Sequence, residues 1–245
     1  MAKQSGLGDA CFVAGYDLSG DIGALDSISG GPATLDVTAI DKSAHERIGG
    51  QRDGGLEFTA FFNPATDRAH PRLKLLPTTD QIASYLRGTA LGGQAASIVA
   101  KQLNYDGTRG EDGSLTFKVN AVGNGYGLDW GRSLTAGKRT DGAPTNGASV
   151  DHTDVTTAFG WQAFLHVFAF TGTSVTVTLQ DSADDAAWAN LTGGAFTAAS
   201  GVTSERLEGG RTATVRRYLR AITSGTFSSA TFAVVFTRNL TAVAF

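Results

Sequence analysis

The sequence predicts a mainly β protein, and three features of its 245 residues support that fold class. Glycine is abundant, with 32 residues against 5 prolines, which suits a chain with many tight turns. Several short segments alternate apolar and polar residues, the period-two pattern of a half-buried strand. Hydrophobic residues make up 41% of the chain, enough to bury a substantial core.

Five segments of the first half are predicted strands. The alternation is clearest at residues 56–63, where Leu56, Phe58, Ala60 and Phe62 share one face. The last two predicted strands are joined by a hairpin loop of seven residues that contains three glycines. The five strands are residues 11–18, 34–41, 56–63, 95–106 and 114–131, and the loop is residues 107–113.

A short helix is predicted at residues 70–76. Pro71 suits the first turn of a helix, and three leucines supply a small apolar face. Pro77 ends the helix, because proline cannot continue the hydrogen-bond ladder. The next segment, residues 80–88, is compatible with either a helical turn or a strand.

The second half of the chain is predicted to be almost entirely strand. Its apolar segments are separated by turns at a spacing typical of an immunoglobulin-like β-sandwich. A polar, glycine-rich stretch separates the halves. We therefore predict a first domain at residues 1–142, a linker at 143–154 and a C-terminal β-sandwich domain at 155–245. The predicted strands of the second half are residues 158–170, 174–182, 215–223 and 231–239.

The densest cluster of charge lies at residues 39–55, between two predicted strands. The stretch lacks the helical spacing of apolar residues, and its four glycines would weaken a helix there. A catalytic base needs an orienting partner inside a pocket, which an exposed connection does not provide. We therefore predict a protruding hairpin that contacts another copy of the chain, with opposite charges setting the register. The predicted contact residues are Lys42, His45, Glu46, Arg47, Gln51, Arg52 and Asp53.

The sequence contains no recognisable cofactor or nucleophile motif, and we predict a protein that is not an enzyme and holds no cofactor or metal. It has no Walker loop, no dinucleotide-binding glycine pattern, no GxSxG elbow and no HExxH helix. His166 lies within an aromatic strand and is predicted to be a core or sheet-face histidine. Residues 184–185 are predicted to lie in a solvated acidic hairpin loop rather than a calcium site. Alternation separates Arg217 from Arg216 and Arg220, so these three do not form one basic face.

Charge, cysteine content and hydropathy restrict the ligands and the cellular compartment that we expect for the protein. The net charge of −3 leaves no basic excess for a groove that follows nucleic acid. Cys11 is the single cysteine, so no disulfide can form within the chain. We expect no membrane span, because no run of 18 apolar residues occurs, and no signal peptide. These features favour a cytoplasm-like compartment, or a particle assembled there.

Three stretches of the first half resemble a known family. They are GDACFVAGYDLSGDIGALDSISGGPATLDVTAIDKSAHERIGGQRDGGLEFTAFFNP, HPRLKLLPTTD and LTFKVNAVGNGYGLDWGRSLTAGKRTDG. The resemblance is to the major tail tube proteins of long-tailed, siphovirus-type bacteriophages of actinobacteria, and it covers most of residues 5–142. It implies a tail-tube β-sandwich or barrel with a short flanking helix. It also implies hexameric rings that stack into a tube for genome ejection, and a long loop, here residues 42–55, that reaches the neighbouring ring.

The resemblance also implies partners and a location. Tape measure, tail terminator and tail tip proteins would be neighbours in a virion tail assembled in the host cytoplasm, and viral DNA would pass without specific binding. The second half would decorate the outside of the tail. Trp161, Trp188 and Tyr218 could stack on a host surface glycan there, although the better expectation is that two of the three are core aromatics. Two alternatives stay open: a cell-surface glycan-binding module on an oligomerising β domain, and a contractile-type or type VI tube. An enclosing sheath would leave the second domain little room.

Overall fold

A computed structural model describes residues 5–153 and 156–242. Within them the chain forms a 15-stranded, antiparallel sheet and a single short helix, which confirms the mainly β class. The first half contains β1 Ala10–Val13, β2 Tyr16–Asp17, β3 Ile22–Asp36, β4 Arg47–Phe61, α1 Ala69–Leu73, β5 Gln81–Leu86, β6 Gln94–Gln102, β7 Asp106–Arg109, β8 Leu115–Gly123, β9 Asp129–Ser133 and β10 Arg139–Asp141. The rest contains β11 Val150–Asp151, β12 Trp161–Ser182, β13 Trp188–Ala195, β14 Thr203–Glu208 and β15 Tyr218–Arg238.

The strand predicted at residues 11–18 is a hairpin of two strands. Val13 of β1 lies opposite Tyr16 of β2, and the two residues between them, Ala14 and Gly15, both have positive φ. That turn geometry reverses the chain tightly. The other edge of β1 pairs with β5, so the segment left open at residues 80–88 is a strand.

Four strands of the first half form a layer in the order β3, β4, β8, β7, and β6 pairs with the end of β8 beside β7. Leu56, Phe58 and Ala60 all point into the core, as the alternation predicts, and Leu73 of α1 belongs to the same apolar cluster. Phe62, predicted on the same face, follows the end of β4 and is exposed. The hairpin loop predicted at residues 107–113 is wrong in part, because β7 occupies its first residues. Gly107 lies opposite Phe117 in the β7–β8 pair. A Cβ at residue 107 would come within 2.8 Å of the Phe117 ring, so this glycine makes room for the ring and does not mark a turn.

The helix is shorter than predicted. It begins at Ala69, whose backbone N–H donates to the carboxylate of Asp21 over 2.9 Å, and its last residue is Leu73. Leu76 has a φ of 42°, a left-handed conformation that no helix contains, so the predicted end at residue 76 is wrong. No helix in the part of the chain that the structure describes is long and apolar enough to cross a bilayer.

Two very long strands dominate the second half. β12 and β15 pair along their whole lengths, from Trp161 opposite Arg238 to Ser182 opposite Tyr218. The four separate strands predicted here are therefore halves of these two. The breaks in the sequence pattern fall at Gly172, with φ 150°, and Gly225, with φ 116°, and shifts in register flank Gly172. The hydrogen-bond ladder between β12 and β15 bends at these irregularities and continues past them. A turn at the same place would have ended the ladder.

The two halves of the chain are joined by packing as well as by backbone. Phe12, Leu86 and Val99 from the first half share an apolar cluster with Phe164 and Val235 from the second. The strand β9 pairs with β6 on one side and with β15 on the other. Within the predicted linker, β11 also pairs with β15. The division into two domains stays a prediction, and the halves meet through a shared core.

Candidate functional site

The outer part of the β3–β4 hairpin projects from the body as a two-stranded arm. All residues from 29 to 49 are exposed, whereas Gly54 is the first buried residue of β4. The two strands stay paired to the end, with Asp36 opposite Arg47. We call residues 29–53 the arm and residues 36–47 its tip. A long exposed hairpin of this kind has no core of its own and presents both faces to solvent.

The base of the arm is fixed to the body at Gly30 and Gly54, which lie opposite each other. Leu128 packs over both, and a Cβ on Gly54 would come within 2.7 Å of the backbone nitrogen of Leu128. The guanidinium of Arg52 donates to the carbonyl of Leu128 over 3.2 Å and to the carboxylate of Asp129 over 3.1 Å. Burial raises the pKa of Asp129, while the hydrogen bond from Arg52 opposes that rise.

The tip is organised by its own polar contacts. The Val37 N–H donates to the carbonyl of Glu46, and the Glu46 N–H donates to the hydroxyl of Thr38, each over 2.9 Å. His45 Nδ1 lies 2.9 Å from the carboxylate of Asp36, whose pKa is held below its ordinary value chiefly by hydrogen bonds from Thr38. Lys42 and Glu46 form an exposed ion pair at 3.5 Å. Exposed ion pairs of this kind contribute little to the stability of a protein.

Apolar side chains accompany these charges on the arm. Ile40 at the tip is fully exposed, and Leu35, Val37 and Ile48 are about half exposed. They have no core to enter, because the arm stands away from the body. The strand predicted at residues 34–41 includes Leu35 and Val37, but β3 ends at Asp36, so that prediction is wrong beyond residue 36. Exposed apolar residues rimmed by charge are typical of an interaction surface.

The seven predicted contact residues fall in two groups. Lys42, His45 and Glu46 lie together in the tip, as predicted. The other four, Arg47, Gln51, Arg52 and Asp53, belong to β4, with Arg47 at the border of the tip, so the loop predicted to extend to residue 55 is wrong in its second part. Gly54 makes room for Leu128, and neither Gly49 nor Gly54 ends the strand. Arg52 is bound to the body, and no observation tests the contact role of any of the seven.

The layer that carries the arm has two open edges. Among the described strands, β3 pairs only with β4, and β7 pairs only with β8. Each edge presents backbone N–H and C=O groups without a neighbouring strand, an arrangement that invites pairing with another chain. The two edges lie on opposite sides of the same four-stranded layer.

The solvent face of this layer is polar and acidic. Glu57 and Lys118 form an ion pair at 3.7 Å, and Asp106 of β7 lies directly opposite Lys118. Thr59 donates to the carboxylate of Asp26 over 2.9 Å. Three carboxylates therefore share this face with one ammonium group.

A buried serine–histidine pair lies in the body. His166 Nε2 is 2.9 Å from the hydroxyl of Ser84, which is 2.7 Å from that of Ser97. The Gly15 N–H donates to Nδ1, so the ring proton is on Nε2. Burial lowers the pKa of His166 to about 3, and all three side chains are completely buried, out of reach of a substrate. His166 is a core histidine, as predicted, and it ties β12 to β5 and to the β1–β2 turn.

The aromatic residues of the second half do not form a three-membered platform. Trp161 is completely buried and stacks on Phe236 at 5.7 Å. Trp188 and Tyr218 are partly exposed, but arginines lie over both rings: Arg220 over Trp188 at 4.1 Å, and Arg217 over Tyr218 at 5.2 Å.

Other charged groups of the second half are held by neighbours. Arg216 and Arg217 form ion pairs with Asp181 and Asp151. Backbone hydrogen bonds from residues 186–187 lower the pKa of Asp184 to about 2 and hold it in its hairpin loop. Within residues 5–153 and 156–242, no three His, Cys, Asp or Glu side chains come together in a way that could hold a metal ion.

No protein-family model and no curated protein matches the chain. Among solved structures, a chain from the virion of a native gene transfer agent particle gives a TM-score of 0.42 at 15% identity, over 52% of this chain and 98% of that chain. A chain from the tail of an empty gene transfer agent particle gives 0.40 at 17% identity, over 51% and 97%. The SPP1 Dit protein, described as a hub adsorption apparatus of phages infecting Gram-positive bacteria, gives 0.34 at 12% identity, over 94% and 99%. Similarities at these TM-scores assign no function to this chain.

Proposed function

We propose that the chain is a structural, non-enzymatic subunit of a bacteriophage tail tube. Its copies form hexameric rings, and the rings stack into the channel through which the genome leaves the particle. The observation that carries the proposal is the four-stranded layer with one open edge on each side. The sequence resemblance of residues 5–142 supplies the family and the number six.

Ring closure follows from the two edges. The edge of β3 in one copy pairs with the edge of β7 in the next, so each contact is heterologous and uses two different surfaces. Repeating one such contact closes a ring when its rotation divides a full turn. Closure covers the four-residue edge of β7 and the part of β3 that faces it, which protects these segments from unregulated strand pairing.

The acidic face of the layer lines the channel in this proposal. Asp26, Glu57 and Asp106 outnumber Lys118, so a ring carries an excess of negative charge on that face. DNA is a dense polyanion that binds wherever lysine and arginine neutralise its phosphates. A lumen of this sign repels the phosphates and lets DNA pass without being held.

The arm connects successive rings. Residues 47–53 extend past the body for about 23 Å at the rise of a β-strand. The tip, with Lys42, His45 and Glu46, then meets the next ring. Tape measure, tail terminator and tail tip proteins are the expected partners in a virion tail assembled in the host cytoplasm. The second half lies outside the channel as a decoration.

Electron microscopy of the concentrated protein tests the proposal. We expect rings or tubes with a central hole. Replacing residues 37–46 by Asn-Gly joins Asp36 to Arg47 through a two-residue turn, and this variant should give rings that do not stack. A matched control shortens the hairpin loop at residues 183–187 in the same way and should leave tubes unchanged. Normal tubes from the shortened arm would exclude it as the connection between rings, and a protein that stays monomeric even with preformed tail tips would contradict the proposal.

A further inference from the structure

We propose that the surface beside α1 receives the arm tip of a second copy of this chain in the adjacent ring. We call it the α1 surface, and it comprises Phe62, Lys74, Leu75, Leu76 and Leu103. The inference rests on the proposed tube function and names the partner of the arm. It concerns residues that the sequence analysis did not single out as contacts.

The α1 surface is apolar and exposed. Phe62 and Leu76 are about two-fifths exposed, and Leu75 and Leu103 about three-fifths. The side-chain amide of Gln102 donates to the carbonyl of Leu73 over 2.7 Å, which holds the end of β6 against the end of the helix. His70 of α1 contacts the ring of Phe62, with ring centroids 4.5 Å apart. The helix therefore links the exposed phenylalanine to the three exposed leucines.

The arm tip and the α1 surface lie toward opposite ends of the same layer. β4 begins at the tip with Arg47 and ends at Phe61, and the chain then enters α1. The His70 N–H donates to the carbonyl of Asn63, which keeps the helix at that end. A second copy displaced along the strand direction thus brings its α1 surface toward the first copy's tip. The two surfaces differ, so the contact repeats from ring to ring.

Charge favours this pairing. The tip carries three carboxylates against one lysine and one arginine, a formal net charge of −1 over residues 36–47 when histidine is left out of the count. Residues 67–74 carry three cationic side chains against one carboxylate, a net charge of +2. Among the described residues, neither Asp41 in the tip nor Lys74 beside α1 has an ion-pair partner. Opposite charges at the rim of an apolar contact set its register.

Cysteine cross-linking tests the contact. The native Cys11 is buried and burial raises its pKa to about 12, so introduced thiols react selectively. A chain carrying Ile40→Cys and Leu75→Cys should give a ladder of covalent oligomers when the concentrated protein is oxidised. The matched control pairs Ile40→Cys with Val202→Cys, a comparably exposed position in the second half, and should give no ladder.

The outcomes separate this inference from the proposed function. Tubes without a ladder would overturn the docking surface and leave the tube standing. A ladder without rings or tubes would support the docking contact and contradict the tube. Neither ladder nor assemblies would overturn both.

A charge exchange provides the second measurement. In the cross-linking chain, Lys74→Glu should reduce the ladder severalfold, and adding Asp41→Lys should restore it. An unchanged ladder in the Lys74→Glu chain would show that these charges do not set the register and would overturn that part of the inference.

Discussion

At the scale of single residues, the sequence pattern predicted the burial of His166 but not its hydrogen-bond partners. Its position within an aromatic strand predicted a core or sheet-face histidine, and the structure confirms a completely buried side chain. Its partners Ser84 and Gly15 lie 82 and 151 residues away. No local spacing could have paired them, because the contact depends on how β5 and the β1–β2 turn pack on β12.

Replacing His166 by leucine should destabilise the protein by about 1–3 kcal/mol, because the buried Gly15 N–H then has no acceptor. Urea unfolding followed by circular dichroism measures the change. The exposed His45→Gln variant is the control and should lie within about 0.5 kcal/mol of the native protein. Equal stability of the His166→Leu variant would show that the buried network contributes nothing net.

The same histidine predicts a pH dependence. The pKa of His166 falls from its ordinary 6.5 to about 3 on folding, so the unfolded chain binds the proton more readily than the folded one. Its contribution to stability is complete above pH 6.5 and is lost as the pH falls toward 3. His152 is shifted in the same direction by burial. Unfolding free energies measured from pH 7 to pH 4 should therefore decline less steeply in His166→Leu than in the native protein, and identical slopes would contradict this assignment.

At the scale of elements, the arm shows why boundaries escaped the sequence. Its charge and glycines correctly indicated an exposed, non-helical connection between two strands. They did not reveal that β4 begins at Arg47, because glycine weakens a strand pattern whatever its reason for being there. Gly54 is needed for the close approach of Leu128, a residue 74 positions away. The α1 surface escaped notice because Leu75 and Leu76 were assigned to the apolar face of the predicted helix, whereas both are exposed.

Gly54→Ala should destabilise the base of the arm by about 1–3 kcal/mol, because the new methyl group overlaps the backbone of Leu128. Thermal unfolding measures the change. Gly201→Ala is the control, since no heavy atom lies within 4 Å of a Cβ built there, and it should be close to neutral. An unchanged melting temperature for Gly54→Ala would mean that the arm shifts freely at its base.

At the scale of the whole molecule, composition and turn spacing predicted the fold class but not the connection between the halves. The polar stretch at residues 143–154 was predicted to be a linker, yet β11 within it pairs with β15. Long-range pairing of this kind leaves no local pattern. The length of β12 was hidden in the same way, because a bulged strand and two short strands have similar sequences.

A fragment ending at residue 148 is expected to be unstable on its own. It loses Phe164 and Val235, which cover Phe12, Leu86 and Val99 in the shared cluster. The exposed apolar surface should make the fragment aggregate or bind a hydrophobic dye, and size-exclusion chromatography with dye fluorescence measures both. A monomeric fragment with cooperative unfolding would show instead that the first half folds independently.

The placement of the arm and α1 toward opposite ends of one layer gives any filament built from them a direction. Every ring would show arms at one terminus and bare helices at the other, so the two termini cannot be closed by the same protein. Subunits then add to two chemically different ends of the filament, and the rates of addition at the two ends differ. A factor that starts the filament must imitate one of these surfaces, and a factor that stops it must imitate the other.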